Sequence, residues 1–272
     1  MSSIADVLPW QLERLDLSRV DTDLMRGRDE LLLLVCASSF IESGSETYTR
    51  NLLDLFADDN EVSSWLRQHW EPEELQHGRA LRAYVQHICP EFDWERAYAA
   101  FFDEYSRLST AEHLEPTRGR ELAGRCIVEM GTTTYYQALA AACSEPVLRD
   151  LIWRIRCDEL RHYKHFYAYF LRYREQERLT RPQVLAALAR RIVDIRQNDA
   201  GIGLRHAATL LRDRRAPASS AQSTRRVYEL VRTNFPVELA VRMTLKPLRL
   251  PPRVQHHLAR PLAAIARHAV LR

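Results

Sequence analysis

Twice in this 272-residue chain a glutamate precedes a histidine by three residues: Glu74 and His77 in Glu73-Glu74-Leu75-Gln76-His77, and Glu159 and His162 in Asp158-Glu159-Leu160-Arg161-His162. Residues three apart on a helix share a face, so each pair can direct a carboxylate and an imidazole at one point. Two lone carboxylates complete the set: Glu42, directly after the largely apolar run Leu31–Ile41, and Glu129, in Cys126-Ile127-Val128-Glu129-Met130. The order Glu, Glu-x-x-His, Glu, Glu-x-x-His is the donor set of a four-helix bundle that holds two metal ions. Carboxylates and imidazoles suit paired Fe(II), or Mn, rather than soft metals or structural Zn. Four carboxylates neutralise two divalent ions. Without metal, buried carboxylates this close would repel, and some would be protonated.

Donors that must meet need helices that turn between them. Glu42 and Glu74 are 32 residues apart, Glu129 and Glu159 are 30 apart, and the midpoints fall at residues 58 and 144. Both midpoints, Ala57-Asp58-Asp59-Asn60 and Cys143-Ser144-Glu145-Pro146, read as a turn followed by a helix cap. Each arm is then about 15 residues, roughly 22 Å long, with the donors halfway down. One Glu-x-x-His is a weak signal, since charged helices produce it by chance. Two copies, two extra glutamates and two midpoint turns together are specific.

Composition agrees with an all-α chain. Only eight glycines interrupt long periodic stretches, and the length is enough to bury a substantial core. No 18-residue uncharged apolar run suggests a membrane span, and Met1–Asp6 lacks the basic-then-apolar pattern of a secretory signal. Five cysteines, with no Cys-x-x-Cys pair, fit reduced thiols and a cytoplasmic setting. The net charge of +3 conceals an asymmetry. Residues 181–272 hold 18 of the 39 basic residues and 5 of the 36 acidic ones, so that stretch carries +13 and residues 1–180 carry −10.

In chain order, residues 1–27 form a lead-in with one apolar cluster, Val7-Leu8-Pro9-Trp10. Residues 28–215 form the bundle, and 216–272 a basic, amphipathic helical extension. The first helix starts near Asp21 or Arg28 and ends near Phe56. The second spans Asn60 to Ile88, with a bend or restart expected at Pro72. A connecting helix, Phe92 to Leu108, is capped by Asp93. The third ligand helix runs from Thr117 to Ala142 and the fourth from Ser144 to Gln176. A further helix opens at Thr180-Arg181-Pro182, Gly201-Ile202-Gly203 interrupts it, and residues 216–223 read as a linker.

Several of these residues resemble a known family. Trp70-Glu71-Pro72-Glu73-Glu74-Leu75-Gln76-His77-Gly78 resembles the Trp-x-x-Glu-Glu-x-x-His-Gly segment of soluble acyl-[acyl-carrier-protein] desaturases, and Asp158-Glu159-Leu160-Arg161-His162 resembles their Asp-Glu-x-Arg-His. Thr47-Tyr48 matches the first ligand helix and places Glu42 in register. The resemblance covers about residues 28–175 and departs at Pro72. The ligand pattern is shared across the ferritin-like di-iron carboxylate superfamily. It implies an all-α ferritin-like four-helix bundle with extra helices, with Glu42, Glu74, His77, Glu129, Glu159 and His162 as metal ligands. It also implies Asp158 as the hydrogen-bond partner of His77, and pseudo-symmetry pairs Glu73 with His162. Trp70 stands beside the cofactor. Thr132, three residues after Glu129, corresponds to a threonine near the oxygen site, and the alternative is a helix threonine bonding a carbonyl one turn back.

The implied activity is that of an oxidoreductase: two Fe ions, with Mn as the alternative, activate dioxygen as co-substrate for desaturation or hydroxylation of a fatty-acyl group, free or on acyl carrier protein. Electrons come from a ferredoxin-type donor, and a homodimer is implied by resemblance alone. The rival readings are an iron-handling or peroxide-detoxifying protein, and a hydroxylase or deformylating oxygenase for another hydrophobic metabolite. Glu46 is the rival ligand should the register of Glu42 be wrong. His165, six residues from Glu159, falls off the ligand face. His256-His257 has no partner at metal spacing, and Tyr135, Tyr136, Tyr163, Phe166, Tyr167 and Phe170 read as core. Arginines 212, 214, 215, 225 and 226 fit a solvated loop, an acidic partner or, with the terminal helices, a peripheral membrane contact. Nucleic acid is not expected, because no groove-reading motif appears.

Overall fold

The chain reverses at both points where the ligand spacing asks for a turn. In the computed structural model, which describes residues 8–108, 111–197, 199–213 and 220–270, helices α1 (Asp29–Ser43) and α2 (Ser45–Leu55) form one arm, interrupted only at Gly44. After the turn, α3 (Asn60–Trp65), a π-helical turn (Leu66–Trp70) and α4 (Glu71–Ile88) form the returning arm. Asp59 caps α3 by accepting from the Val62 amide at 3.2 Å. The second hairpin is α6 (Arg118–Ala142), capped by Thr117, and α7 (Pro146–Gln176). Glu145, not Ser144, caps α7. Its carboxylate accepts from the amides of Val147 and Leu148, and Pro146 occupies the first turn, where its missing N–H leaves nothing unsatisfied. α1 packs on α4, α6 on α7, and α4 crosses to α7.

The remaining helices wrap this frame. They are α5 (Trp94–Tyr105, capped by Asp93), α8 (Arg181–Gln197), α9 (Asp199–Ala207), α10 (Thr209–Asp213), α11 (Ser220–Asn234), α12 (Val237–Leu245) and α13 (Pro252–Val270). No strand occurs among the described residues, and the fold is an all-α helical bundle. α1 is buried without a break from Leu31 to Phe40 because α4, α5, α9 and α11 all lie against it, which is why its sequence is apolar on every side. α11 touches both α1 and α6, and α12 touches α6.

The first helix opens at the later of its two expected starts, with Arg28 as its N-cap and Asp29 as its first residue. Pro72 stands in the first turn of α4, where the regular helix restarts as expected. The turn just before it is π-helical, the Glu71 amide bonding the Leu66 carbonyl five residues back. Gly201 and Gly203 do not interrupt a helix but lie within α9, and a Cβ on Gly203 would sit 3.4 Å from the Ala37 Cβ. The glycine there permits close packing on α1. Of the linker, residues 220–223 belong to α11, while 216–219, like Arg214 and Arg215, lie outside the described residues.

Two apolar clusters fill the interior, one toward each end of the bundle. Along α7, Leu148, Leu151, Ile152 and Ile155 belong to the first, and Tyr163, Phe166, Tyr169 and Phe170 to the second. Along α6 the order is inverted: Leu122, Cys126 and Ile127 lie in the second and Tyr136 and Leu139 in the first. The antiparallel pair therefore leaves one polar layer between the clusters, which holds Glu129, Asp158, Glu159 and His162.

Candidate metal centre

Each donor arrives from a different part of the frame. Glu42 is in the last turn of α1, Glu74 and His77 near the start of α4, Glu129 midway along α6, and Glu159 and His162 midway along α7. The closest approach of α1 to α4 is set by Gly78. A Cβ there would stand 2.7 Å from the Ser43 backbone nitrogen, so only glycine lets Glu42 and His77, the residues just before Ser43 and Gly78, come together.

The six side chains converge into two overlapping groups. Glu42, Glu74, His77 and Glu159 form one, and Glu74, Glu129, Glu159 and His162 the other; within each, one donor atom per residue lies within 4.8 Å of every other, and all are buried. Glu74 and Glu159 belong to both. Glu159 faces both ways, its Oε1 being 3.3 Å from His77 Nδ1 and its Oε2 3.9 Å from His162 Nδ1. His162 Nδ1 lies 3.0 Å from Glu74 Oε1 and 3.7 Å from Glu129 Oε2, and His77 Nδ1 lies 3.8 Å from Glu42 Oε2. The imidazole centroids are 6.1 Å apart. Every residue expected as a ligand is in these groups. Glu46 and His165 are exposed and lie outside them, as do His256 and His257, which face each other on the surface.

The residues around the donors fix their orientation. His77 Nε2 donates to Asp158 Oδ2 at 3.0 Å and His162 Nε2 to Glu73 Oε2 at 2.8 Å. A carboxylate can only accept, so both Nδ1 atoms are turned toward the centre, the arrangement in which an outer carboxylate steers a metal-binding imidazole. Arg161 joins the outer carboxylates, reaching Glu73 at 2.6 Å and Asp158 at 2.9 Å. Thr132 Oγ1 lies 2.6 Å from Glu159 Oε2 and 3.3 Å from the Glu129 carbonyl, so the hydroxyl meets a candidate ligand as well as its own helix. Trp70 packs edge-on against His162, with centroids 6.5 Å apart, and makes no hydrogen bond through its indole nitrogen.

Four residues beside the centre escaped the sequence reading. Trp10 Nε1 donates to Asp158 Oδ2 at 2.7 Å, and Gln76 holds the Trp10 carbonyl at 3.0 Å. Arg125, itself buried, bonds Glu129 Oε1 at 2.8 Å and lies over the Trp70 ring. Tyr136 donates to Glu42. Arg125 carried a signal, standing one turn before Glu129, but that spacing looks the same in an ordinary surface pair.

Electrostatics divides the carboxylates. Burial pushes Glu74 well above the usual range, reinforced by the charges of Glu159 and Glu42. Burial and the charges of Glu42 and Glu129 raise Glu159 to about 7. Burial acts the same way on Glu42 and Glu129 but is outweighed, by His77 for the first and by His162 and Arg125 for the second, so both stay below the usual range. Burial disfavours charge on the imidazoles, yet Asp158, Glu159 and Glu42 raise His77, and Glu129, Glu73 and Glu74 raise His162. In the metal-free protein, protons on Glu74, Glu159, His77 and His162 thus balance the four carboxylates. Two divalent cations carry the same charge as those four protons.

The donor set fits a metal pair. Glu74 Oε1, Glu159 Oε1, His77 Nδ1 and His162 Nδ1 are buried and make no well-aligned hydrogen bond, although they lie as close pairs, Glu74 with His162 at 3.0 Å and Glu159 with His77 at 3.3 Å; buried polar atoms are seldom left so. All four face into the two donor groups. Outside them, Asp158 and Glu73 are offset by Arg125 and Arg161, so the surroundings add no net charge to a neutral core. No family model matches the sequence, and no curated protein matches it. Among solved structures, an R2-like ligand-binding oxidase with an aerobically reconstituted Mn/Fe cofactor overlays with a TM-score of 0.40 at 15% identity, over 78% of this chain and 88% of that one. No helix among the described residues is long and apolar enough to cross a membrane. None of the five cysteines forms a disulfide, and four of them are buried.

Proposed function

We propose that the protein is a di-metal oxidase that removes hydrogen from an unactivated C–H bond of a fatty-acyl or similar lipid-like substrate, with acyl carrier protein and a ferredoxin-type electron donor as partners. The observation that carries this reading is the pair of donor groups sharing Glu74 and Glu159, with four buried donor atoms turned inward that make no well-aligned hydrogen bond. Glu42 and His77 would hold one ion, Glu129 and His162 the other, and Glu74 and Glu159 both. Paired Fe, or Mn with Fe, supplies dioxygen chemistry to such a site. The chain's own residues do the rest. Asp158 and Glu73 fix the imidazole tautomers, Thr132 can pass a proton to or from Glu159 Oε2, and the flanking apolar clusters exclude water and strengthen every charge interaction inside. The acyl substrate is favoured by the resemblance of residues 70–78 and 158–162 to the desaturases.

Elemental analysis of wild type beside Glu159→Ala tests the centre. About two metal ions per chain should fall to nearly none in the variant, since Glu159 serves both positions. Wild type that takes up no stoichiometric metal after anaerobic Fe(II) loading would sink the reading. Acyl-carrier-protein substrates, reduced ferredoxin and dioxygen then test the reaction, with mass spectrometry separating loss of two hydrogens from gain of oxygen.

One observation favours iron handling instead. An open surface pocket of about 350 Å³ lined by Glu46, Arg50, Leu53, Asp54, Arg67 and Glu71 lies one helical turn along from Glu42 and Glu74, and charged side chains stand among its lining. Burial raises Glu71, with the charge of Glu46 adding to it. Repeated Fe(II) oxidation without any organic substrate would support this second reading; a single oxidation per loaded centre would favour the first.

A further inference from the structure

α13 is built in three sectors. Its inner side is small: Ala259, Ala263 and Ala266, with Leu262, are covered or partly covered, and the helix lies against α12. Its larger apolar side chains point the other way. Val254, Leu258 and Ile265 are 42%, 38% and 64% exposed, and with exposed Pro261 they recur at steps of four, three and four residues, a single stripe along one side of the helix. Beside the stripe runs a basic sector. Arg253, Arg260 and Arg267 repeat every seven residues, all exposed, and no acidic residue occurs between Pro252 and Val270. Arg267 alone of the three pairs with a carboxylate, Glu238 of α12.

A helix that stabilises only its own bundle puts its large apolar residues inward. Here three alanines and Leu262 face the bundle, and valine, leucine and isoleucine face solvent next to Arg253 and Arg260, which pair with no carboxylate among the described residues. We propose that the outer side of α13 is a membrane-surface contact that lies in the headgroup region of an anionic bilayer, with the stripe in the acyl boundary and the arginines at the phosphates. The stripe is too narrow and α13 too charged to span, and the contact is peripheral. Charge complementarity selects the occupant. The strip is cationic throughout, and an anionic lipid surface offers both the negative charge and the apolar phase that its two outer sectors need. The surface stands independently of the metal centre. If the acyl reading also holds, it brings the bundle to the phase that stores lipid-like substrates.

The test is co-sedimentation of the full chain with phosphatidylcholine vesicles with and without phosphatidylglycerol, at low and high salt. Wild type should pellet with the anionic vesicles and be released by salt. Arg253→Gln with Arg260→Gln should weaken binding roughly thirtyfold, at about 1 kcal/mol per arginine. Leu258→Ser with Ile265→Ser should weaken it about tenfold or more by removing buried apolar area. Both pairs point outward, so far-UV circular dichroism, Tm and metal content should not change, which separates loss of this surface from loss of the fold or of the metal centre. Wild type that stays in solution with both vesicle types overturns the proposal. So does binding that ignores lipid charge, or a wild-type dimer that Ile265→Ser splits without any effect on lipid binding, since the stripe would then be a contact between copies.

Discussion

The two halves of the metal centre share a plan and differ in what stands behind it. On the His77 side, Asp158 carries three donors, from His77, Trp10 and Arg161, and the terminal carboxylate Glu42 is held by a neutral phenol, Tyr136. On the His162 side, Glu73 has His162 and Arg161, and the terminal carboxylate Glu129 is held by a buried cation, Arg125. A carboxylate that shares its charge with a guanidinium has less to give a metal than one bonded to a phenol. The His77 position should therefore bind the tighter ion, and two near-identical motifs are made unequal by their neighbours.

The comparison can be broken at several points. The largest effect should come from Glu42→Ala and Glu129→Ala, each of which removes one terminal ligand. Both should leave about one metal per chain, and the ion that Glu129→Ala retains should be the harder to extract with a chelator. Equal loss of both ions in either variant would mean that the halves do not load separately. Next, Gly78→Ala presses a methyl group into Ser43 and should destabilise the fold by about 1–3 kcal/mol, read as a lower denaturant midpoint. Because the clash lies beside Glu42 and His77, the metal of that half should be lost first.

A smaller effect is expected from Trp10→Phe, which removes one of the donors on Asp158. Metal affinity should fall roughly tenfold on the His77 side and hold on the other, within the range seen when the hydrogen-bond support of a ligand is removed. Competition titration with a chromophoric chelator measures both steps. Arg161→Gln, which touches both outer carboxylates, should weaken the two positions together.

The gentlest probe is pH. Burial and the charges of Glu42 and Glu129 push Glu159 up to about 7 in the metal-free fold, above the roughly 4.3 of an unfolded glutamate. The folded state therefore holds more protons between these values, and this contribution to stability shrinks as pH rises through that window. Glu74, raised by the same burial, acts in the same direction. Glu42, Glu73, Glu129 and Asp158, all lowered, contribute fully there and lose their share only in more acidic solution. The Tm of metal-free protein should thus fall as pH rises from about 5 to 8, and metal should reverse the slope, because its binding releases protons. Calorimetry in buffers of different ionisation enthalpy should count close to four protons per metal pair near pH 6.

The helical frame and the six donors were legible because each announces itself locally. Periodicity marks the arms, caps mark the turns, and a charged residue such as Glu129 is conspicuous in an apolar stretch. What escaped depends on distance along the chain. Trp10 meets Asp158 across 148 residues, and nothing within Val7-Leu8-Pro9-Trp10 points to a carboxylate. Glycine misleads where its role is tertiary: Gly203 resembles a helix breaker in isolation, yet its reason is Ala37 on another helix. Pro72 removes a hydrogen bond from its helix, and the wider π-helical bond lies directly upstream of it.

That π-helical turn amounts to a one-residue insertion absorbed inside a helix. Trp65 and Trp70, five positions apart, would sit well off one another's line on a regular α-helix. Here both lie against His162 and Phe166. Residues before 66 are shifted by one relative to those after 70, so helical counting carried back from Glu74 across the turn misplaces every side chain as far as Asn60. Removing a single residue from the turn would leave the two tryptophans four positions apart and still on one face of a regular helix, whereas straightening the turn with its residue kept would swing one of them away from the metal centre.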